Sequence, residues 1–146
     1  MTEYPVRLFA SDAEIRRVGA GLLARTLPKS EWTHEAHLAA CAWLLLERPD
    51  IVPETDLPDI IRNYNVAVGG VNDDSQGYHH TLTLLYIGGV RNFLGEERGA
   101  GLARIVNALL LSQIGDRNWP LTLYSRDRLF SVEARHGWLG PDRAEP

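Results

Sequence analysis

The sequence predicts an all-α fold, formed as a single compact domain of about five main helices with short helices at the C-terminal end. Apolar residues recur at intervals of three and four along most of the chain, which is the spacing of an amphipathic helix. Capping residues, prolines and glycines separate these segments. The chain has 146 residues, of which 45% are hydrophobic, and this is enough to bury a sizeable core in one domain over residues 1–146.

The first two helices carry clear start signals. Ser11 is followed three positions later by Glu14, which is the pattern of a capping box and predicts the start of the first helix. The second helix is capped by Ser30 or Thr33 and runs to about Glu47 through a stretch rich in Ala and Leu, both good helix formers.

The later elements follow from the same periodicity. The predicted helices cover about 57–68, 78–94, 99–114 and 131–138. Residues 81–84 and 121–124 alternate like strands, but four residues are weak evidence, and the first stretch lies within a segment of helical length. Residues 1–10 and 140–146 are predicted to be tails.

Composition limits the classes of partner and the compartment. The net charge of −4 and the absence of a run of basic residues argue against a nucleic-acid partner. The longest apolar run is far shorter than the roughly 20 residues that span a membrane. Cys41 is the sole cysteine, so no internal disulfide forms, and the first ten residues lack an apolar signal-peptide core. We expect a cytoplasmic protein, and a homo-oligomer is compatible with the sequence.

The first cluster with chemical potential lies at the start of the second helix. His34 and His37 are three residues apart and share a helical face with Cys41, on a stripe that is otherwise apolar. Both imidazoles should therefore face the interior, where an unpaired polar group costs on the order of 1–3 kcal/mol. In the first turn the helix dipole disfavours imidazolium at His34, and neutral imidazole is the form that binds metal or accepts a proton.

A second histidine pair, His79 and His80, lies at the start of the fourth predicted helix. From His79, helical spacing leads to Thr83 and Tyr86, although helical geometry alone does not choose between the two histidines. Three histidines from two helices suffice to ligate a divalent metal ion with an open position. The candidate catalytic and metal-ligating residues are therefore His34, His37 and His79.

Other polar residues are candidates to line the same pocket and bind a substrate. They are Tyr64, Asn65, Tyr78, Thr83, Tyr86 and Arg126. Alternatives stay open: the first two could simply end a helix, Arg126 could belong to a surface cluster, and Cys41 is expected to be a buried small hydrophobe. No phosphate-binding glycine loop is present, so no nucleotide cofactor is expected.

Four blocks of the sequence form a recognisable pattern. They are Thr33-His34-x-x-His37-Leu38, residues 65–72 with their glycine pair, Gly77-Tyr78-His79-x-Thr81-x-Thr83, and Tyr124-Ser125-x-x-x-Leu129-Phe130-Ser131. The pattern resembles a family of small uncharacterised bacterial proteins of about this length. The resemblance implies that the two histidine blocks form one site and favours His79 over His80, but it names no substrate or cofactor.

Three functional hypotheses follow. The first is a small enzyme with a histidine-lined buried pocket, either metal-dependent or acid–base, acting on a small molecule. The second is a non-catalytic module that binds a small molecule or a metal ion. The third is a structural or interaction protein whose core histidines are satisfied by hydrogen bonds.

Overall fold

The computed structural model describes residues 6–95 and 101–143, and all the regular structure in these ranges is helical. The predicted all-α class is confirmed. The helices of the described residues are α1 (Asp12–Ala24), α2 (His34–Glu47), α3 (Pro53–Ala67), α4 (His80–Leu94), α5 (Leu102–Leu110), α6 (Trp119–Leu123), α7 (Arg126–Leu129) and α8 (Val132–His136). Two short 3₁₀ turns also occur, at Lys29–Glu31 and Gln113–Gly115. Within the described part of the chain, no helix has the length and apolar character needed to cross a bilayer.

The starts of α1 and α2 match their sequence signals. The Ser11 hydroxyl accepts a hydrogen bond from the Glu14 N–H at 3.2 Å, and the Glu14 carboxylate accepts one from the N–H of Ala10 at 3.4 Å. At α2 the Thr33 hydroxyl accepts from the Ala36 N–H at 3.1 Å. Both caps satisfy backbone donors that the helix itself leaves unpaired.

Two helix boundaries differ from the prediction by four residues. α3 begins four residues early, at Pro53, because proline suits the first helical position and the Asp56 carboxylate accepts from the Val52 N–H at 2.8 Å. α5 ends at Leu110, because the chain folds back and Gly115 packs onto the Leu110 carbonyl, where a Cβ has no room. The predicted start of this helix at residue 99 lies outside the described residues.

α2 is the central element of the fold and packs against α1, α3, α4 and α5. Its alanines at 36, 39, 40 and 42 are all at most 1% exposed, and their small size lets neighbouring helices approach from several sides. On α1, Gly19 packs so closely on the Trp43 ring that a Cβ would overlap it. The ends of α2 are thereby fixed relative to the helices that surround it.

Both predicted tails include residues that are attached to the domain. The Asn107 amide donates to the Phe9 carbonyl and accepts from the Phe9 N–H, both at 2.9 Å. Near the other end, the Asp142 carboxylate accepts from the N–H of Ser125 at 2.7 Å and from its hydroxyl at 2.6 Å. Residues 1–5 and 144–146 of the predicted tails lie outside the described ranges.

The adjacent glycines of α4 should respond oppositely to alanine. A Cβ on Gly88 would enter open space, whereas one on Gly89 would lie 2.7 Å from the Trp119 ring. We expect Gly88→Ala to raise the free energy of unfolding by about 0.5–1 kcal/mol through helix propensity. Gly89→Ala should lower it by about 1–3 kcal/mol through overpacking. Urea denaturation of the two variants measures both values, and equal effects would contradict the packing described.

Candidate functional site

A cavity of about 380 Å³ lies between α2, α3 and the start of α4. Its wall is mainly apolar, and Trp32 and Cys41 contribute to it. All but two of the residues predicted for the site line this cavity: His34, His37, Asn65, Tyr78, His79, Thr83 and Tyr86. The volume falls in the range of small-molecule sites.

The His37 ring is held in one orientation by two contacts. Its Nδ1 lies 2.6 Å from the Thr33 carbonyl oxygen, and because a carbonyl only accepts, Nδ1 carries the proton. The Trp32 indole stacks on the ring with centroids 3.7 Å apart and an interplanar angle of 28°. In the neutral ring Nε2 is therefore an acceptor, and no described residue hydrogen-bonds to it.

The environment of His37 keeps this nitrogen unprotonated. The side chain is exposed where it lines the cavity, and atoms of the surrounding helices crowd around the ring. This desolvation lowers the pKa of His37 to about 4, outweighing the opposing effect of the Thr33 carbonyl, and nearby His34 lowers it further. At neutral pH Nε2 of His37, a residue that lines the cavity, is therefore unprotonated.

His79 is buried and uses both ring nitrogens in hydrogen bonds to backbone groups. Its Nδ1 accepts from the Leu82 N–H at 3.1 Å, which makes His79 the N-cap of α4. Its Nε2–H donates to the Leu129 carbonyl at 2.8 Å, which ties α4 to α7. Desolvation lowers the pKa of His79 below its ordinary value, so the neutral form that makes these bonds is favoured.

His34 and Tyr86 both line the cavity, and their rings contact each other. The Nε2–H of His34 donates to the Gly115 carbonyl at 2.9 Å, which leaves Nδ1 without a partner among the described residues. The rings of His34 and Tyr86 are edge to face with centroids 6.1 Å apart. Burial raises the pKa of Tyr86 well above its usual range, so its phenol stays protonated and can donate a hydrogen bond.

Asn65 lines the cavity, and a loop fixes its side-chain amide. Its Nδ2 donates to the Asn72 side-chain oxygen at 2.9 Å, and that oxygen also accepts from the Tyr78 N–H at 3.0 Å. Gly77, with φ of 83°, closes this loop where a Cβ would overlap the Val71 carbonyl. Within the described chain the Oδ1 of Asn65 has no protein partner.

Of the second histidine pair, His79 lines the cavity and His80 does not. The Tyr78 hydroxyl lies 2.8 Å from Nδ1 of His80, and the Arg62 guanidinium stacks 4.3 Å from the centre of the Tyr78 ring. His80 therefore contacts the cavity only through Tyr78.

Two predicted substrate-binding residues lie outside the lining of the cavity. Tyr64 is fully buried, donates to the Leu27 carbonyl at 2.8 Å and packs edge-on against Trp32, so it supports the wall from behind. Arg126 is exposed in the first turn of α7. Cys41 does line the cavity, but burial raises its pKa to about 12, so it remains a thiol and not a thiolate.

One buried carboxylate was not foreseen. Glu35 lies off the histidine stripe, as helical geometry predicts, yet it is only 3% exposed. Its Oε1 has no hydrogen bond, and the Arg117 guanidinium lies 3.5 Å away. Nothing in the sequence around Glu35 indicates that this face of α2 is buried.

Of the three predicted metal ligands, His79 already uses both ring nitrogens in hydrogen bonds. Ligation by His79 would require it to give up its bond to either Leu82 or Leu129, since both nitrogens are engaged. Across residues 6–95 and 101–143, no group of three or more His, Cys, Asp or Glu side chains is placed to hold a metal ion. Metal ligation stays a prediction, which the metal content of untagged protein tests.

Stability should depend on pH through His37. Its pKa of about 4 in the folded protein lies below the ordinary value of 6.5, so the unfolded chain binds a proton first as the pH falls. The stabilisation is complete above about pH 6.5 and is lost as the pH falls towards about 4. We expect His37→Phe to lose less thermal stability than the wild type between about pH 7 and 5. Parallel curves for the two proteins would contradict the low pKa of His37.

No protein-family model, curated protein or solved structure matches this chain. The chemistry of the cavity therefore has to be inferred from its own donors and acceptors. The polar groups left without a protein partner in the described structure include Nε2 of His37, Nδ1 of His34, Oδ1 of Asn65 and the hydroxyl of Tyr86.

Proposed function

We propose that this protein is a small acid–base enzyme that binds a small molecule in the cavity and transfers a proton from it to Nε2 of His37. One observation carries the proposal. His37 lines the cavity and is fixed through Nδ1 and by stacking on Trp32, while Nε2 has no partner among the described residues and stays unprotonated. His79, by contrast, pairs both of its ring nitrogens with backbone groups.

The remaining groups complete a proton transfer. Nε2 of His37 takes a proton from a carbon, nitrogen or oxygen of the substrate, and the electron pair stays on the substrate. The Thr33 carbonyl keeps its hydrogen bond to Nδ1–H and so stabilises the imidazolium that forms. The Tyr86 hydroxyl donates to the atom on which negative charge develops. The proton then returns to another atom of the substrate or passes to water.

A neutral reporter substrate tests this function. 5-Nitrobenzisoxazole gives up its ring C–H proton to a base, its N–O bond breaks, and a coloured nitrophenolate is released. We expect the full-length protein to accelerate this release above the buffer rate with saturation in substrate. Turnover that shows no saturation, or none above buffer, would overturn the catalytic proposal.

A non-catalytic binding module is the second candidate, because the few unpaired polar groups in the mainly apolar cavity could also bind a small molecule without turnover. The metal-dependent form of either function is tested separately. Near-stoichiometric metal in untagged protein, lost in a His79→Ala variant, would support ligation by the three histidines. Metal-free protein would leave only the metal-free forms.

A further inference from the structure

The lining of the cavity contains no charged partner for a ligand. No Asp, Glu, Lys or Arg is among the residues that form the described wall. Its titratable groups are imidazoles, phenols and the Cys41 thiol. Cys41 and Tyr86 both have raised pKa values, so neither supplies a negative charge near neutral pH.

A charged ligand would enter this site without compensation. An ionised group moved from water into an apolar site without a partner costs several kcal/mol or more. The cavity already shows this effect on its own side chain, since desolvation is the main reason that imidazolium is disfavoured at His37. The same desolvation acts against an ammonium or a carboxylate on a ligand.

Among the lining groups that have no hydrogen bond to the protein, acceptors outnumber strong donors. Nε2 of neutral His37, Nδ1 of neutral His34 and Oδ1 of Asn65 accept. The strong donors among the described lining residues are the Tyr86 hydroxyl and the Trp32 indole N–H, and the Cys41 thiol is a weak one. A ligand that donates at least one hydrogen bond satisfies this set better than one that only accepts, because buried acceptors left unpaired are costly.

We infer that the cavity takes a neutral, flat molecule that carries an N–H or O–H donor, and that it rejects carboxylate and ammonium analogues of the same shape. The flat outline follows from the aromatic surfaces of Trp32 and Tyr86 in the wall. The inference rests on the proposed function for the location of the site, but it does not depend on turnover.

Four compounds of one shape test the inference: benzamide, methyl benzoate, benzoate and benzylamine. Benzamide is neutral and donates, methyl benzoate is neutral without a donor, and the last two are charged near neutral pH. Dissociation constants come from titrations followed by NMR of the intact protein. We expect benzamide to bind at least about tenfold more tightly than each charged compound, and about fivefold more tightly than methyl benzoate.

The variant His37→Phe tests whether the ligand donates its hydrogen bond to His37. It keeps a flat ring beside Trp32 but removes the acceptor nitrogen Nε2. It should bind benzamide and methyl benzoate with similar affinity. Tighter binding of benzoate or benzylamine, equal binding of methyl benzoate to the wild type, or binding of none of the four would overturn the ligand class. Selective binding of benzamide without turnover of the reporter would overturn only the catalytic proposal.

Discussion

Replacing His37 by phenylalanine is expected to lower kcat/KM for proton abstraction from 5-nitrobenzisoxazole by at least about 100-fold. A positioned general base typically contributes about 10²- to 10⁴-fold, and the variant removes the only ring nitrogen we assign to that role. Phenylalanine keeps a flat ring that can stack on Trp32, so the shape of the cavity should change little. Initial rates of nitrophenolate release measure the effect.

The pH dependence of the same reaction identifies the base. Because the pKa of His37 is about 4, its unprotonated form persists to lower pH than that of an ordinary histidine. We expect kcat/KM of the wild type to stay nearly constant from about pH 8 to 5 and to fall only near pH 4. A midpoint near pH 6.5 would assign the activity to a histidine with an ordinary pKa.

Two further variants separate chemistry from general damage. Tyr86→Phe removes the proposed donor and should lower kcat/KM by roughly 10- to 100-fold, somewhat less than a strong oxyanion donor contributes. His136 lies on α8 and pairs at 2.8 Å with exposed Asp74, away from the cavity, so His136→Phe should leave the rate unchanged. Equal losses in the variants of His37 and His136 would show that the effect is not local.

The parts of this structure that depend on near neighbours in the chain could be predicted from the sequence. The caps at Ser11 and Thr33 each need only a backbone N–H three residues away. The shared face of His34, His37 and Cys41 follows from helical spacing, and all three line one cavity. Contacts between residues that are close in the chain can therefore be predicted from the sequence pattern.

Contacts between distant residues could not be predicted in this way. The partner of His79 is the Leu129 carbonyl, 50 positions along the chain, and nothing in the sequence around His79 indicates it. The Gly115 carbonyl that holds His34 is 81 positions away. Which nitrogens stay unpaired, and hence which histidine can act as a base, is therefore decided by tertiary structure.

His79 should matter mainly to stability, and we expect His79→Ala to lower the free energy of unfolding by about 3 kcal/mol. Loss of the N-cap of α4 accounts for about 1 kcal/mol. Loss of the donor to the buried Leu129 carbonyl accounts for about 1–3 kcal/mol. For a chain of this length the thermal midpoint should fall by roughly 6–12 °C, which calorimetry measures.

A graded series distinguishes this structural role from a catalytic one. In His79→Asn the shorter amide can still cap α4 but cannot reach Leu129, so about a third of the lost stability should return. His136→Ala, which removes only an exposed hydrogen bond to Asp74, should change stability by less than about 0.5 kcal/mol. If His79→Ala instead kept the wild-type midpoint and abolished turnover of the reporter, His79 and not His37 would be the reacting group. The two hydrogen bonds of its ring argue for the first outcome, because a base needs a nitrogen that no other group already occupies.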